Sequence, residues 1–414
     1  MTSALRARLT ALLPADPAQR SFALATLANT AGNGMFYAVS AIYFTQSVGL
    51  SPAQVGIGLT IAGLCGLLAG IPAGHLGDIR GPRNVLVGLA LAEGAGVAAY
   101  ALVHGFLAFV LVASVVTTVD RSANAVRSGM IAAMGAPGDR VRLRAYLRAV
   151  TNVGITIGAP IGGLALVADT HTAYLTVILV NAATFVLAAL LILRVPPVPP
   201  RPHTGDGPRL AVLRDRPFLL VAVVHAFLAL HFALLDVALP LWIVHRTEAP
   251  KWLVAVLLLM NTVTVVAFQV RASRGVETVA QGAVALRRAG IVLAVACVIF
   301  AMSGGASAPV AVTLLLVATL VHVTGELLQS AGGWAISFGL APEDRQGEYQ
   351  GLFSTGFAAT SMLAPAVLTA LCVTWGWPGW IVLGVVFAAA GVGMVPLVRR
   401  AEARELPDRL ASRA

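Results

Sequence analysis

Apolar runs of bilayer-spanning length recur along this chain almost from end to end. A membrane-crossing helix needs about 20 mostly apolar residues. Runs of that size lie near 21–46, 53–74, 84–104, 106–132, 148–168 and 172–193, then near 218–244, 252–270, 289–304, 308–337, 350–374 and 378–398. Only 11% of residues are charged, against about 25% in a soluble domain. The expected fold is an all-α integral membrane protein with twelve transmembrane helices in two six-helix bundles, residues 21–193 and 218–398. Tails at 1–20 and 399–414 and a linker at 194–217 complete the expected domain plan.

A formal net charge of +10 raises the question of a nucleic-acid or acidic partner. The placement of the charges argues against both. Of the 28 Lys and Arg residues, 24 fall in the tails and in the connections on one side; Arg246 and Lys251 lie on the other side, and Arg121 and Arg127 inside the fourth span. That asymmetry follows the positive-inside rule and puts both termini in the cytoplasm of a multi-pass cell-membrane protein. The first 20 residues lack a clean apolar core and small-residue cleavage site, so the first span is expected to remain as helix one. Cys65, Cys297 and Cys372 all sit within spans, at no metal-like spacing, and read as packing residues.

The chain repeats itself. Residues 136–140 read APGDR and 341–345 read APEDR, an offset of 205; Ala159-Pro160 and Ala364-Pro365 share that offset. The shift carries span five onto span eleven, so the two six-helix halves run in the same orientation and are pseudo-symmetric. Parallel repeats with a substrate site between them near the midplane are one of the standard transporter plans. The link between the halves, LRVPPVPPRPHTGDGPRLAVLRDRP, is rich in Pro and Arg and reads as a stiff cytoplasmic linker.

Between spans two and three lies GHLGDIRGPRNVL, residues 74–86. Physically it is a tight turn in which glycines relax the backbone and Pro82 suits a helix start. The stretch resembles the loop signature of the major facilitator superfamily, G-x-L-x-D-R-x-G-R-R-x-x-L. Gly74, Leu76, Asp78, Gly81, Arg83 and Leu86 match by position, while Ile79 and Pro82 replace two usual basic residues. Span five contains GITIGAPIGG, residues 154–163, which is similar to the G-x-x-x-G-P-x-x-G-G stretch of that superfamily's proton-driven exporters. Gly154, Gly158, Gly162 and Gly163 match; the proline, Pro160, comes one place late. Small residues every fourth position also serve close helix packing, and the two readings are compatible.

The resemblance implies the major facilitator fold, with helices 1, 4, 7 and 10 around a central cavity, a monomer as working unit, and no cofactor. Ionisable residues within a membrane are functional candidates by default. Here they are Glu93, Asp120, Arg121, Arg127, His225, His231, Asp236, His322 and Glu326. The resemblance places Glu93 in a peripheral helix, with a structural role, and has Arg127 either snorkelling or tying down Asp78. His225 reads as interfacial. His322 and Glu326, four residues apart, share one helix face about 6 Å apart along the axis. Subtracting 205 from 326 lands on Arg121, so Glu326 and Arg121 occupy equivalent depths and are expected to face one cavity. Burial disfavours a carboxylate's charged form and a nearby cation favours it, so a changing distance between them would couple protons to conformation. A static ion pair or separate hydration is the plainer alternative. Asp236 is the second proton-site candidate; on a regular helix it lies about 140° from His231. Asp120, His231, Asn29 and Asn33 are candidates for lining the cavity, the asparagines equally able to bridge helices.

The sequence thus points to a secondary transporter, resembling the twelve-helix drug/proton antiporters, that exchanges protons for a small, partly apolar molecule. A proton symporter importing a nutrient is the alternative, and a non-transporting sensor a remote one. No G-x-x-x-x-G-K-[ST] stretch is present to bind nucleotide, and no H-E-x-x-H or clustered metal-ligand set supports an enzyme. The expected partners are a small-molecule substrate, protons and the lipid bilayer, with no metal and no nucleic acid.

Overall fold

A computed structural model describes residue 14 and residues 16–135, 137–200 and 211–411. The expected tails and linker fall partly outside these described residues. Every regular element among them is helical. Helix α1 (Pro17–Ile42) begins where the Asp16 carboxylate accepts from the Ala18 N–H at 2.9 Å, and it ends in one π turn, Tyr43–Ser47. A capping box between Ser51 and Gln54 starts α2 (Pro52–Gly66), which meets α3 (Gly70–Arg80) at a 44° bend. Then follow α4 (Pro82–Ala99), α5 (Phe106–Ala133), α6 (Pro137–Ala168) and α7 (His171–Leu193).

The seventh span is broken. Helix α8 (Arg216–Ala229) passes into a 3-10 turn, Leu230–Ala233, a π turn, Leu234–Ala238, and then α9 (Leu239–Arg246). Pro240 has no N–H to give the Asp236 carbonyl and its ring crowds that group, so the turn before it opens. After this come α10 (Leu253–Ala272), α11 (Val279–Met302), α12 (Ala308–Gly339), α13 (Gln346–Leu368) with a π turn at Thr369–Trp375, and α14 (Trp377–Ala411).

Among the described residues, ten helical spans of 20 to 32 residues are long and apolar enough to cross a membrane; the bent α2–α3 pair makes an eleventh. Helix α1 is more polar than these. Its 26 residues nonetheless reach about 39 Å at 1.5 Å per residue, enough to span. Thr26 and Thr30 satisfy their hydroxyls on the Phe22 and Thr26 carbonyls of the same helix, at 3.0 and 2.8 Å. Large apolar side chains such as Leu107, Leu164, Val167 and Val385 are exposed, as lipid-facing residues are.

The chain divides into two compact units. One comprises Met1–Met134 with Val150–Thr204, the other Gly135–Ala149 with Gly205–Ala414. Helix α6 contributes to both. In the first unit an aromatic cluster closes one end: Phe36 stacks on Tyr100 with ring centroids 5.6 Å apart, and Phe44 meets Phe109 at 4.6 Å. In the second unit α11 lies against both α12 and α14, and Trp380 packs on Phe300 and Trp242 at 5.1 and 5.8 Å.

Candidate functional site

The densest buried polar arrangement is in the second unit, on α12. His322, Glu326, Gln329 and Ser330 recur at helical spacing, so they occupy one face, and all are buried. Glu326 receives two hydrogen-bond donors. Arg148, from the first part of α6, forms an ion pair with its Oε1, and the Asn261 amide of α10 donates to Oε2 at 2.8 Å. Arg148 also donates to the Ser330 hydroxyl at 2.9 Å, and its guanidinium lies 4.8 Å from the centre of the Phe232 ring. The Arg148 side chain is 22% exposed and that of Glu326 6%, so the guanidinium keeps part of its hydration while the carboxylate relies on the donors of the protein.

The same face carries a histidine chain into the broken seventh span. The His322 Nε2–H donates to the His231 carbonyl at 3.1 Å, in the 3-10 turn. A carbonyl only accepts, so the proton sits on Nε2. The His231 ring lies edge-on to that of His322, centroids 5.4 Å apart, and its Nε2 stands 3.4 Å from the Gln329 Oε1. The Gln329 amide in turn donates to the His225 Nε2 at 2.8 Å. The Nδ1 atoms of His231 and His322 are buried with no partner among the described residues. The His231 carbonyl also accepts from the Leu234 N–H within the turn, so His322 adds a second bond to it and pins the turn to α12.

A smaller polar site lies in the first unit. Glu93 of α4, Arg127 of α5 and Asn29 of α1 line a cavity of about 20 Å³ otherwise walled by apolar side chains, among them Phe22, Leu86 and Phe185. That is room for about one water. The Asn29 Nδ2 is buried there without a partner among the described residues. Along α5, Arg127 donates to the Asn124 Oδ1 at 3.1 Å, and Asn124 donates to an Asp120 carboxylate oxygen at 3.0 Å.

The two glycine-bearing motifs have distinct structural roles. Gly81 both ends α3 and precedes α4 with φ 85°, a conformation that favours glycine, and a Cβ there would come within 2.9 Å of the Val198 carbonyl. Gly74 is buried within α3, and Arg83 donates to the Leu193 carbonyl at 2.5 Å, tying the turn to the end of α7. On α6, Gly154, Gly158 and Gly162 form a seam: a Cβ on any of them would run into Thr30, Ala31 or Met35 of α1. Gly163 has open space beside it and Pro160 is exposed. The close-packing role of this stretch is therefore physical, whatever else it does.

The placement of the remaining candidates departs from the sequence reading in several respects. The cation on Glu326 is Arg148, whereas Arg121 lies in the first unit against Gly66. Glu93 lines the small cavity together with Arg127 and Asn29. His225 is buried against Phe353, ring centroids 4.2 Å apart. Asp236 is exposed in the π turn while His231 is fully buried, and the 140° separation does not apply because that segment is not a regular helix. Asn33 is half-buried. Reasoning from sequence missed Arg148, Asn261 and Gln329. Gln329 had a usable signal, seven residues beyond His322 on the same helical face. Arg148 had none, being one of four arginines in the 140–148 stretch. Among the described residues no group of three or more His, Cys, Asp or Glu has metal-binding geometry.

Comparisons with known proteins agree with this architecture. The Major Facilitator Superfamily profile matches residues 22–325. Among curated proteins no match is found. Solved structures share the fold at low identity. A bacterial homologue of the iron transporter ferroportin, in its outward-facing state, is 18% identical with a TM-score of 0.70, covering 93% of this chain and 99% of that one. The human organic anion transporter MFSD10 is 16% identical with a TM-score of 0.67, covering 92% of this chain and 99% of its own. The transporter FucP in its outward conformation is 13% identical with a TM-score of 0.68, over 92% and 98% of the two chains. With about three-quarters of its length inside the family profile and bilayer-length helices throughout, the chain is a multi-pass membrane transporter, not an enzyme, and belongs to the major facilitator superfamily.

Proposed function

We propose that this protein is a secondary active transporter that works by alternating access and exports a small, partly apolar molecule in exchange for protons. It would act in the cell membrane as a monomer, with both termini cytoplasmic and without a cofactor. The observation that carries this reading is the enclosure of Glu326 by Arg148 and Asn261. Burial disfavours a carboxylate's charge, and an adjacent guanidinium compensates it. Drawing Arg148 away therefore favours uptake of a proton at Glu326, and returning it favours release. The neighbouring His322 and His231 lie beside it, each with a buried Nδ1 that has no partner among the described residues. Arg148 sits at the end of α6 assigned to the second unit, while the glycine seam holds the other end of that helix in the first. A movement of α6 against α12 would then reach the proton site directly. Asp236, exposed in the π turn, is a second proton-site candidate; Arg121 serves as a fixed positive charge. Asn29, Asn33 and Asp120 are candidates for substrate contact, and the loop of Gly74, Asp78, Gly81 and Arg83 with Arg127 for the conformational switch. The span-five stretch supports the drug/proton antiporter branch as the nearest functional class.

The test uses proteoliposomes with an imposed pH gradient, a panel of lipophilic cations and antibiotics, and an internal pH reporter. Proton movement opposite to substrate, lost in Glu326→Gln while substrate binding persists, is the expected result. Proton and substrate moving together would replace export by symport. Full gradient-driven transport in the variant would remove Glu326 from the coupling.

A further inference from the structure

In the second unit, three chain turns line a half-open cavity of about 290 Å³ to which Glu326 does not contribute. Trp242 and Arg246 of α9, Ala301 at the end of α11 with Gly304 and Gly305 beyond it, and Trp375 and Gly376 just before α14 with Trp377 at its start line it. Trp380 meets Trp242 edge to face, so four of the chain's six tryptophans lie in or against this one cavity. Trp375 and Trp377 are 58% and 65% exposed. Tryptophan in this setting favours the level of the lipid headgroups, where its ring is buried and its N–H stays wet. The basic residue among the described lining residues is Arg246. Its Nε and Nη2 donate to the Val373 carbonyl at 3.2 and 2.9 Å, and Nη2 also to the Thr374 carbonyl at 3.2 Å. These bonds fix the guanidinium plane and leave the Nη1 hydrogens without a partner among the described residues. No carboxylate is among the described lining residues. Gly376 lies against the guanidinium: a Cβ there would approach Cζ to 3.9 Å.

From this arrangement we infer that the cavity is a binding site for the phosphate headgroup of an anionic phospholipid. Arg246 Nη1 meets the phosphate oxygens, and Trp375 and Trp377 cover the glycerol and upper acyl chain. A fixed, half-used guanidinium suits a phosphate, which accepts charge-assisted hydrogen bonds, and the exposed indoles suit the apolar segment that a free anion lacks. That second feature selects a lipid over inorganic phosphate. The site does not depend on Glu326 or on proton coupling.

Intrinsic fluorescence in nanodiscs tests this. In a Trp334→Phe background every remaining tryptophan other than Trp252 belongs to the cluster. Phosphatidylglycerol and phosphatidylcholine, each brominated near the head of one acyl chain, are exchanged in turn into an unbrominated background. Phosphatidylglycerol should quench at lower mole fraction than phosphatidylcholine, by about fivefold for one basic side chain at an anionic surface. Arg246→Lys should retain the preference, and Arg246→Gln should abolish it. Equal quenching by the two lipids in the unaltered site would overturn the proposal, a result that needs no variant to fold. Loss of the preference on adding millimolar inorganic phosphate at constant ionic strength would also overturn it, assigning the site to a soluble anion instead.

Discussion

Removing Arg148 from beside Glu326 leaves a carboxylate that is 5% exposed with the Asn261 amide as its remaining hydrogen-bond donor among the described residues. Breaking a buried pair from one side costs about 3–5 kcal/mol, whereas removing both charges costs far less. Arg148→Gln is therefore expected to lower thermal stability in detergent more than the Arg148→Gln/Glu326→Gln double variant does. The coupling energy should be at least about 1 kcal/mol, as for contacting residues; additive effects would mean that the two side chains do not act as a pair. Glu326 and His322 were visible in the sequence because ionisable groups are conspicuous in an apolar run. Arg148 was not, since nothing in a stretch of four arginines says which one a helix rotation turns inward. The repeat arithmetic points to Arg121, which lies in the first unit, whereas the ion-pair partner of Glu326 is Arg148.

Helix α6 shows the same division one level up. Its GITIGAPIGG stretch was legible as a small-residue pattern, and the seam on α1 is what such a pattern makes possible. Gly158→Ala should place a methyl against the Ala31 carbonyl and destabilise by about 1–3 kcal/mol, as overpacking does. Gly163→Ala, with open space beside it, should be neutral or stabilise by up to about 1 kcal/mol. Melting curves of the two variants check this: a tolerated Gly158→Ala would mean that α1 and α6 are not in close contact there. The apolar spacing of the seventh span predicts a regular helix, and the structure breaks it. Pro240 was the available clue, but a proline opens the turn before it only to the degree that neighbouring side chains satisfy the released backbone groups. His322, 91 positions away from His231, ties that segment to α12 through the His231 carbonyl.

For the whole molecule, the charge asymmetry sets the expected orientation. Single cysteines introduced into a cysteine-free background report it: an impermeant maleimide applied to intact cells should label Lys251→Cys and spare Arg194→Cys. Labelling of Arg194→Cys alone would invert the topology. The membrane class, the helical fold and the family followed from the sequence, because each rests on local properties: apolar length, charge placement and a short turn motif. These hold whichever way the helices rotate. The partner of Glu326, the histidine chain through Gln329, the water-sized cavity at Glu93 and the tryptophan-lined cavity at Arg246 were decided by tertiary structure. Each joins residues from different helices, and the rotation and axial offset of a helix in a bundle come from packing against its neighbours, which the spacing of residues along one helix does not specify.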